Sequence, residues 1–114
     1  MAITGRFKDL IIRGGENISP REVEEFIYRM EGIQDVQVVG VPSKKYGEQV
    51  GAFVILKQGY DIAPEDVQNF CRGKISNYKV PKYVTFIRQL PLTASGKVQK
   101  YKLRGQAAKL WPEA

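Results

Sequence analysis

The sequence predicts an α+β sandwich: a β-α-β-β-α-β unit with helices packed on one face of a short sheet, followed by a C-terminal helix. Three observations predict it. Short apolar runs fall at 36–41, 51–57 and 83–87, prolines stand at the two helix starts (Pro20 and Pro64), and apolar residues follow each proline at helical spacing. The 114 residues suffice for one domain with one modest core.

Residues 9–13 (DLIIR) read as a short strand, and Gly14-Gly15-Glu16-Asn17 as a loop in which paired glycines permit close backbone approach. Ser19-Pro20-Arg21-Glu22 is a helix start: serine caps, proline fits the first turn, and Glu22 can bond back to the cap. Val23, Phe26, Ile27 and Met30 give that helix one core face, and Gly32 ends it. Val36–Val41 is a strand. Gly51–Lys57 (GAFVILK) is another, apolar on both faces and therefore central. Between them lies a basic hairpin-type loop, Pro42–Glu48. Pro64 opens a second helix with Glu65 and Asp66 in its first turn, where the dipole favours anions. Val67, Phe70, Cys71 and either Ile75 or Lys74 form its buried face, with Cys71 as a small core residue. Tyr83–Ile87 alternates as a strand, Leu90-Pro91-Leu92 breaks it, and Tyr101–Leu110 forms a basic helix.

Composition narrows the chemistry. There is no histidine, which removes the commonest general base, and the single cysteine leaves neither an internal disulfide nor a structural zinc site. No run approaches a membrane span and no leader is visible at Met1–Arg6, so an intracellular, cytoplasmic location is expected. The net charge is +6, and residues 67–110 contain no Asp or Glu but ten Lys and Arg. That half attracts anions: nucleotides, phosphates, nucleic acid or an acidic protein.

Two phosphate or nucleic-acid readings compete for this charge. Ser95-Gly96-Lys97 is not a P-loop, because Pro91 and Val98 occupy the places of the first glycine and the final Ser or Thr. A basic module of RNA-recognition type shares the element order. Of the aromatic signature only Phe53 is present in QVGAFVIL, residues 49–56. What remains is a lysine, Lys97, on a glycine with no base beside it. Positive charge placed at a reacting phosphate or carboxylate lowers a barrier, and a carboxylate attacking a phosphate is already ionised and needs no base.

Residues 5–20 (GRFKDLIIRGGENISP), with Glu22-Val23-Glu24 beyond, resemble the hinge and loop motif of adenylate-forming enzymes. Residues 91–100 (PLTASGKVQK) resemble their C-terminal lysine motif. The resemblance covers nearly the whole chain and is closest to acyl-CoA synthetases for medium-chain fatty acids, carried further by Gly14–Ile18 and Ile75–Tyr83 (ISNYKVPKY).

The resemblance implies that residues 1–114 are a single mobile C-terminal domain of an AMP-forming acyl-CoA synthetase, with a hinge segment at 5–13, inactive without the N-terminal adenylation domain. It implies ATP and coenzyme A as substrates of the full enzyme, Mg2+ accompanying ATP outside this domain, and no nucleic acid as partner. Residue by residue, it makes Lys97 the adenylation lysine, Lys8 the hinge residue, and Arg6 a contact to ATP phosphates. Gly14 and Gly15 line the channel for coenzyme A, and Lys44, Lys45, Tyr78, Lys79 and Lys82 are candidates for binding that coenzyme. Asn17 stands where some relatives carry Arg or Lys. An aryl-acid or carrier-protein-loading ligase is the alternative within the family, and a stand-alone basic nucleic-acid-binding module the alternative outside it.

Overall fold

The computed structural model describes residues 10–112. In chain order these form β1 (Ile11–Arg13), β2 (Glu16–Ile18), α1 (Pro20–Ile27), β3 (Ile33–Ser43), β4 (Gly47–Leu56), α2 (Pro64–Cys71), a 3-10 turn at Asn77–Lys79, β5 (Tyr83–Phe86) and α3 (Lys100–Leu110). The α+β sandwich predicted from sequence is present, with one added element. Gly14-Gly15 is the turn of a small hairpin in which β1 pairs antiparallel with β2, Ile11 opposite Ile18 and Arg13 opposite Glu16. The polar residues Glu16 and Asn17 hid the second strand.

The main sheet has the order β3-β4-β5, so the run apolar on both faces is central, as its composition requires. β3 and β4 pair antiparallel from Ile33–Leu56 to Ser43–Gly47, which reduces the expected Pro42–Glu48 loop to a tight turn at 44–46. β5 lies parallel to β4, with Gly51 opposite Tyr83 and Val54 opposite Phe86.

Side chains alternate across a strand, so the sheet has two apolar faces. Val36, Val38, Val50, Ala52, Val54 and Val84 form one core with Val23 and Ile27 of α1 and Val67 and Cys71 of α2. Val39, Val41 and Phe53 form a second with Leu103 and Ala107 of α3, against which Tyr83 and Trp111 pack. The expectation of helices on one face therefore holds for α1 and α2, while α3 covers the other.

Local details follow the same physics with corrections. Ser19 Oγ accepts the Glu22 N–H at 3.4 Å, but the Glu22 carboxylate, instead of closing a capping box, takes Lys79 Nζ at 2.8 Å. α1 stops at Ile27, short of Met30, and a tight turn carries the chain to Gly32. α2 ends at Cys71, and Ile75, not Lys74, packs on the core. No helix among the described residues is long and apolar enough to cross a membrane.

Candidate functional site

Lys97 is exposed on the connection between β5 and α3. The loop folds on itself. Leu92 and Val98 form an antiparallel bridge, Thr93 N–H donates to the Lys97 carbonyl at 2.9 Å, and Gln99 N–H donates to the Pro91 carbonyl at 2.8 Å. Thr93 Oγ1 accepts the Lys97 N–H at 3.1 Å and lies 3.0 Å from Ser95 Oγ. Gly96 makes the turn at φ +89°, a conformation that suits glycine. Leu90 and Val98 seat the legs of the loop against the α3 core. The backbone of Lys97 is thus fixed while its side chain projects outward. Among the described residues the ion pairs are Arg21–Glu25, Lys79–Glu22 and Lys100–Glu24; none involves Lys97.

Gly14 and Gly15 occupy the β1–β2 turn at φ +57° and +91°. This turn lies against the β3–β4 turn. Gly14 N–H donates to the Tyr46 carbonyl at 2.8 Å, and Ile12 N–H donates to Glu48 Oε1 at 2.8 Å. The structure therefore brings Gly14 and Gly15 beside the turn that carries Lys44 and Lys45. Lys45 Nζ lies 5.3 Å from the Tyr46 ring centroid, and Arg13 covers the same ring at 4.2 Å.

Behind that turn lies a cavity of about 310 Å³ lined by Arg13, Gln49, Gln68, Arg72, Asn77, Val80, Pro81 and Lys82. Among the described residues of the lining its three cations face no carboxylate. Arg13 Nε donates to Gln49 Oε1 at 2.8 Å, and Gln49 is a buried polar residue, 7% exposed, in an otherwise apolar strand. Gln68 Nε2 bonds the carbonyls of Pro81 (3.1 Å) and Lys82 (3.0 Å), fixing the opposite wall. Such a cavity can hold a phosphate-bearing ligand.

Of the sequence-derived coenzyme candidates, Lys82 lines this cavity and Lys44 and Lys45 line a neighbouring depression with Tyr46, Gln49 and Tyr83. Tyr78 packs against the main core. Lys79 pairs with Glu22, and that hydrogen bond pushes its ammonium pKa up. Arg6 and Lys8 lie outside the described residues. Sequence reasoning missed Arg13, Gln49 and Arg72. The one available signal was Gln49, a polar side chain between Glu48 and an unbroken apolar run.

Phe53, the single aromatic of the nucleic-acid reading, is fully buried and sits under α3, 5.8 Å from the Trp111 ring. It cannot stack on a base, and the sheet has no open face to offer one.

Residues 22–97 match the family model of the AMP-binding enzyme C-terminal domain. The chain is 52% identical over 109 residues to YngI of Bacillus subtilis (strain 168), covering 96% of this chain and 20% of that protein. It is 52% identical over 104 residues to the human mitochondrial medium-chain acyl-CoA ligase ACSF2, covering 91% of this chain and 17% of that one. Among solved structures it superposes on a Mycobacterium tuberculosis fatty acyl CoA synthetase with TM-score 0.84 at 36% identity, covering 92% of this chain and 21% of that one. On ATP-bound MatB from Rhodopseudomonas palustris the TM-score is 0.88 at 37% identity, with the same coverage of 92% and 21%. The chain thus spans about a fifth of the length of these relatives. By fold, by motif and by these matches, the chain belongs to the AMP-binding enzyme C-terminal domain family.

Proposed function

We propose that residues 1–114 are the mobile C-terminal domain of an ATP-dependent fatty acid–CoA ligase, with the hinge at 5–13 and Lys97 as the adenylation lysine. The reaction has two halves. A fatty carboxylate attacks the α-phosphate of ATP and expels pyrophosphate, leaving an acyl-adenylate. The thiol of coenzyme A then attacks the acyl carbon and expels AMP. In the first half Lys97 places its ammonium against the carboxylate and the nucleotide oxygens, where charge builds up in the transition state. In the second half the domain turns about the hinge, Lys97 leaves, and Gly14 and Gly15 line the channel for the pantetheine arm.

The observation that carries this reading is the placement of Lys97: an exposed cation on a loop closed by its own hydrogen bonds, in a chain matched by the AMP-binding family. The cavity lined by Arg13, Arg72 and Lys82, adjoining the glycine turn, supports the second half, because coenzyme A carries a 3′-phosphate and a pyrophosphate to be met by cations.

The test uses the intact ligase. Lys97→Ala should depress ATP–pyrophosphate exchange by orders of magnitude and leave thioester formation from supplied acyl-adenylate largely unchanged. Normal exchange in that variant overturns the assignment.

A further inference from the structure

Glu24 and Lys100 lie 76 positions apart in sequence and meet at 2.7 Å, Lys100 Nζ to Glu24 Oε2. The same carboxylate oxygen accepts the Val38 N–H at 2.7 Å, and Lys100 Nζ also donates to the Val38 carbonyl at 3.2 Å. Both side chains are largely withdrawn from solvent, Lys100 25% and Glu24 13% exposed. This is a closed knot joining α1, the middle of β3 and the first residue of α3.

Its position matters because of what it adjoins. Lys100 is three residues beyond Lys97 and begins α3. The polar contacts of residues 91–99 described above stay within the loop, apart from the apolar seats of Leu90 and Val98. A loop tied to itself moves as a unit, so its aim is set where its legs meet the body of the domain. The incoming leg comes off β5. The outgoing leg is held at Lys100 by an ion pair with a backbone donor and a backbone acceptor. Those groups are hard to satisfy in any second arrangement, since a displaced Lys100 leaves a largely buried carboxylate without its cation.

We infer that Glu24 and Lys100 are positioning residues for the adenylation step: they fix the outgoing leg of the Lys97 loop, and with it the reach of the Lys97 ammonium. The inference rests on the assignment of Lys97 to adenylation. Neither residue touches the reacting atoms. Their effect runs through geometry, where misplacement of a catalytic group by about 1 Å can cost on the order of a hundredfold in rate.

The experiment measures both half-reactions in the intact ligase for Glu24→Gln, Lys100→Met, Lys100→Arg and the double variant Glu24→Gln/Lys100→Met, with Lys97→Ala alongside. Glu24→Gln keeps an oxygen for the Val38 N–H and removes only the charge, and melting temperatures verify that each variant folds. Exchange kcat should fall about ten- to a hundredfold in Glu24→Gln and in Lys100→Met, with KM for ATP and fatty acid within about twofold. Thioester formation from supplied adenylate should stay within about twofold. Lys100→Arg should recover most of the exchange rate, and the double variant should be no worse than the poorer single. Unchanged exchange in Glu24→Gln, or equal loss in both half-reactions, overturns the positioning role while Lys97→Ala still shows its own selective defect. If Lys97→Ala itself exchanges normally, the functional reading fails and this inference with it.

Discussion

Under the proposed channel role, Gly15 separates what the domain needs from what the reaction needs. A Cβ at this position would meet nothing within 4 Å, so the fold itself leaves room for a side chain. The backbone objects, because φ is +91°, and an L residue held there costs about 1–2 kcal/mol. Gly14 is different: a Cβ there would lie 3.3 Å from Tyr46 Cδ1 and press on the ring that Arg13 covers. Gly15→Leu should therefore yield a folded enzyme, only modestly destabilised, that makes acyl-adenylate normally and transfers it to coenzyme A at least tenfold more slowly. Measuring both half-reactions checks it, and loss of both in a folded variant removes Gly15 from the channel. Cys71 is the opposite case, a residue whose chemistry the fold switches off. Burial pushes its thiol up to about 11, as expected of a small core residue on the buried face of α2.

Elements are joined here by side chains that reach across from one to the next, and Tyr28 is the pH-sensitive instance. It caps the C-terminal end of α1, and its hydroxyl donates to Asp35 Oδ1 in β3. Burial first, and then the bond to the Asp35 carboxylate, push the phenol up to about 12 from the usual 10. The folded state therefore holds a proton that the unfolded chain releases. The contribution of Tyr28 to stability is complete below pH 10 and is lost as pH rises through 12. Urea midpoints measured across this window should fall with pH in the parent and fall less steeply in Tyr28→Phe; an identical slope in both would dismiss the link. The elements readable from sequence were those with long periodic patterns: α1 and α2 behind their prolines, and the central strand from its two apolar faces. β2 was not readable, because three residues with two polar members carry no periodicity. What covers the second face of the sheet was equally hidden. The α3 segment is so basic that Leu103 and Ala107 do not stand out as a core stripe, yet both are fully buried on Val39, Val41 and Phe53.

At the scale of the whole molecule, charge is sorted by the fold in a way the sequence shows only in part. The absence of acids from residues 67–110 announces an anion-seeking half, and Lys97 stands out through its motif. The cavity behind the glycine turn is not local in sequence. Arg13 arrives on β1, Gln49 on β4, Arg72 after α2 and Lys82 before β5, and only the closed sheet collects them. Lys79, by contrast, reads as equivalent to Lys82 in sequence and is taken up by Glu22 from α1. If Arg13, Arg72 and Lys82 receive the phosphates of coenzyme A, binding should carry the signature of partly exposed charge, strong at low ionic strength and screened as the Debye length contracts. KM for coenzyme A in the intact ligase should rise several-fold between about 50 mM and about 300 mM KCl, while KM for the fatty acid, which brings a single carboxylate, moves little. On that assignment the cavity serves the second half-reaction, so Arg72→Ala should raise KM for coenzyme A at low salt and flatten its salt dependence, with ATP–pyrophosphate exchange unaltered. An Arg72→Ala enzyme with the parent's salt dependence would place the coenzyme's phosphates elsewhere on this surface, with the Lys44–Lys45 turn next to be tested.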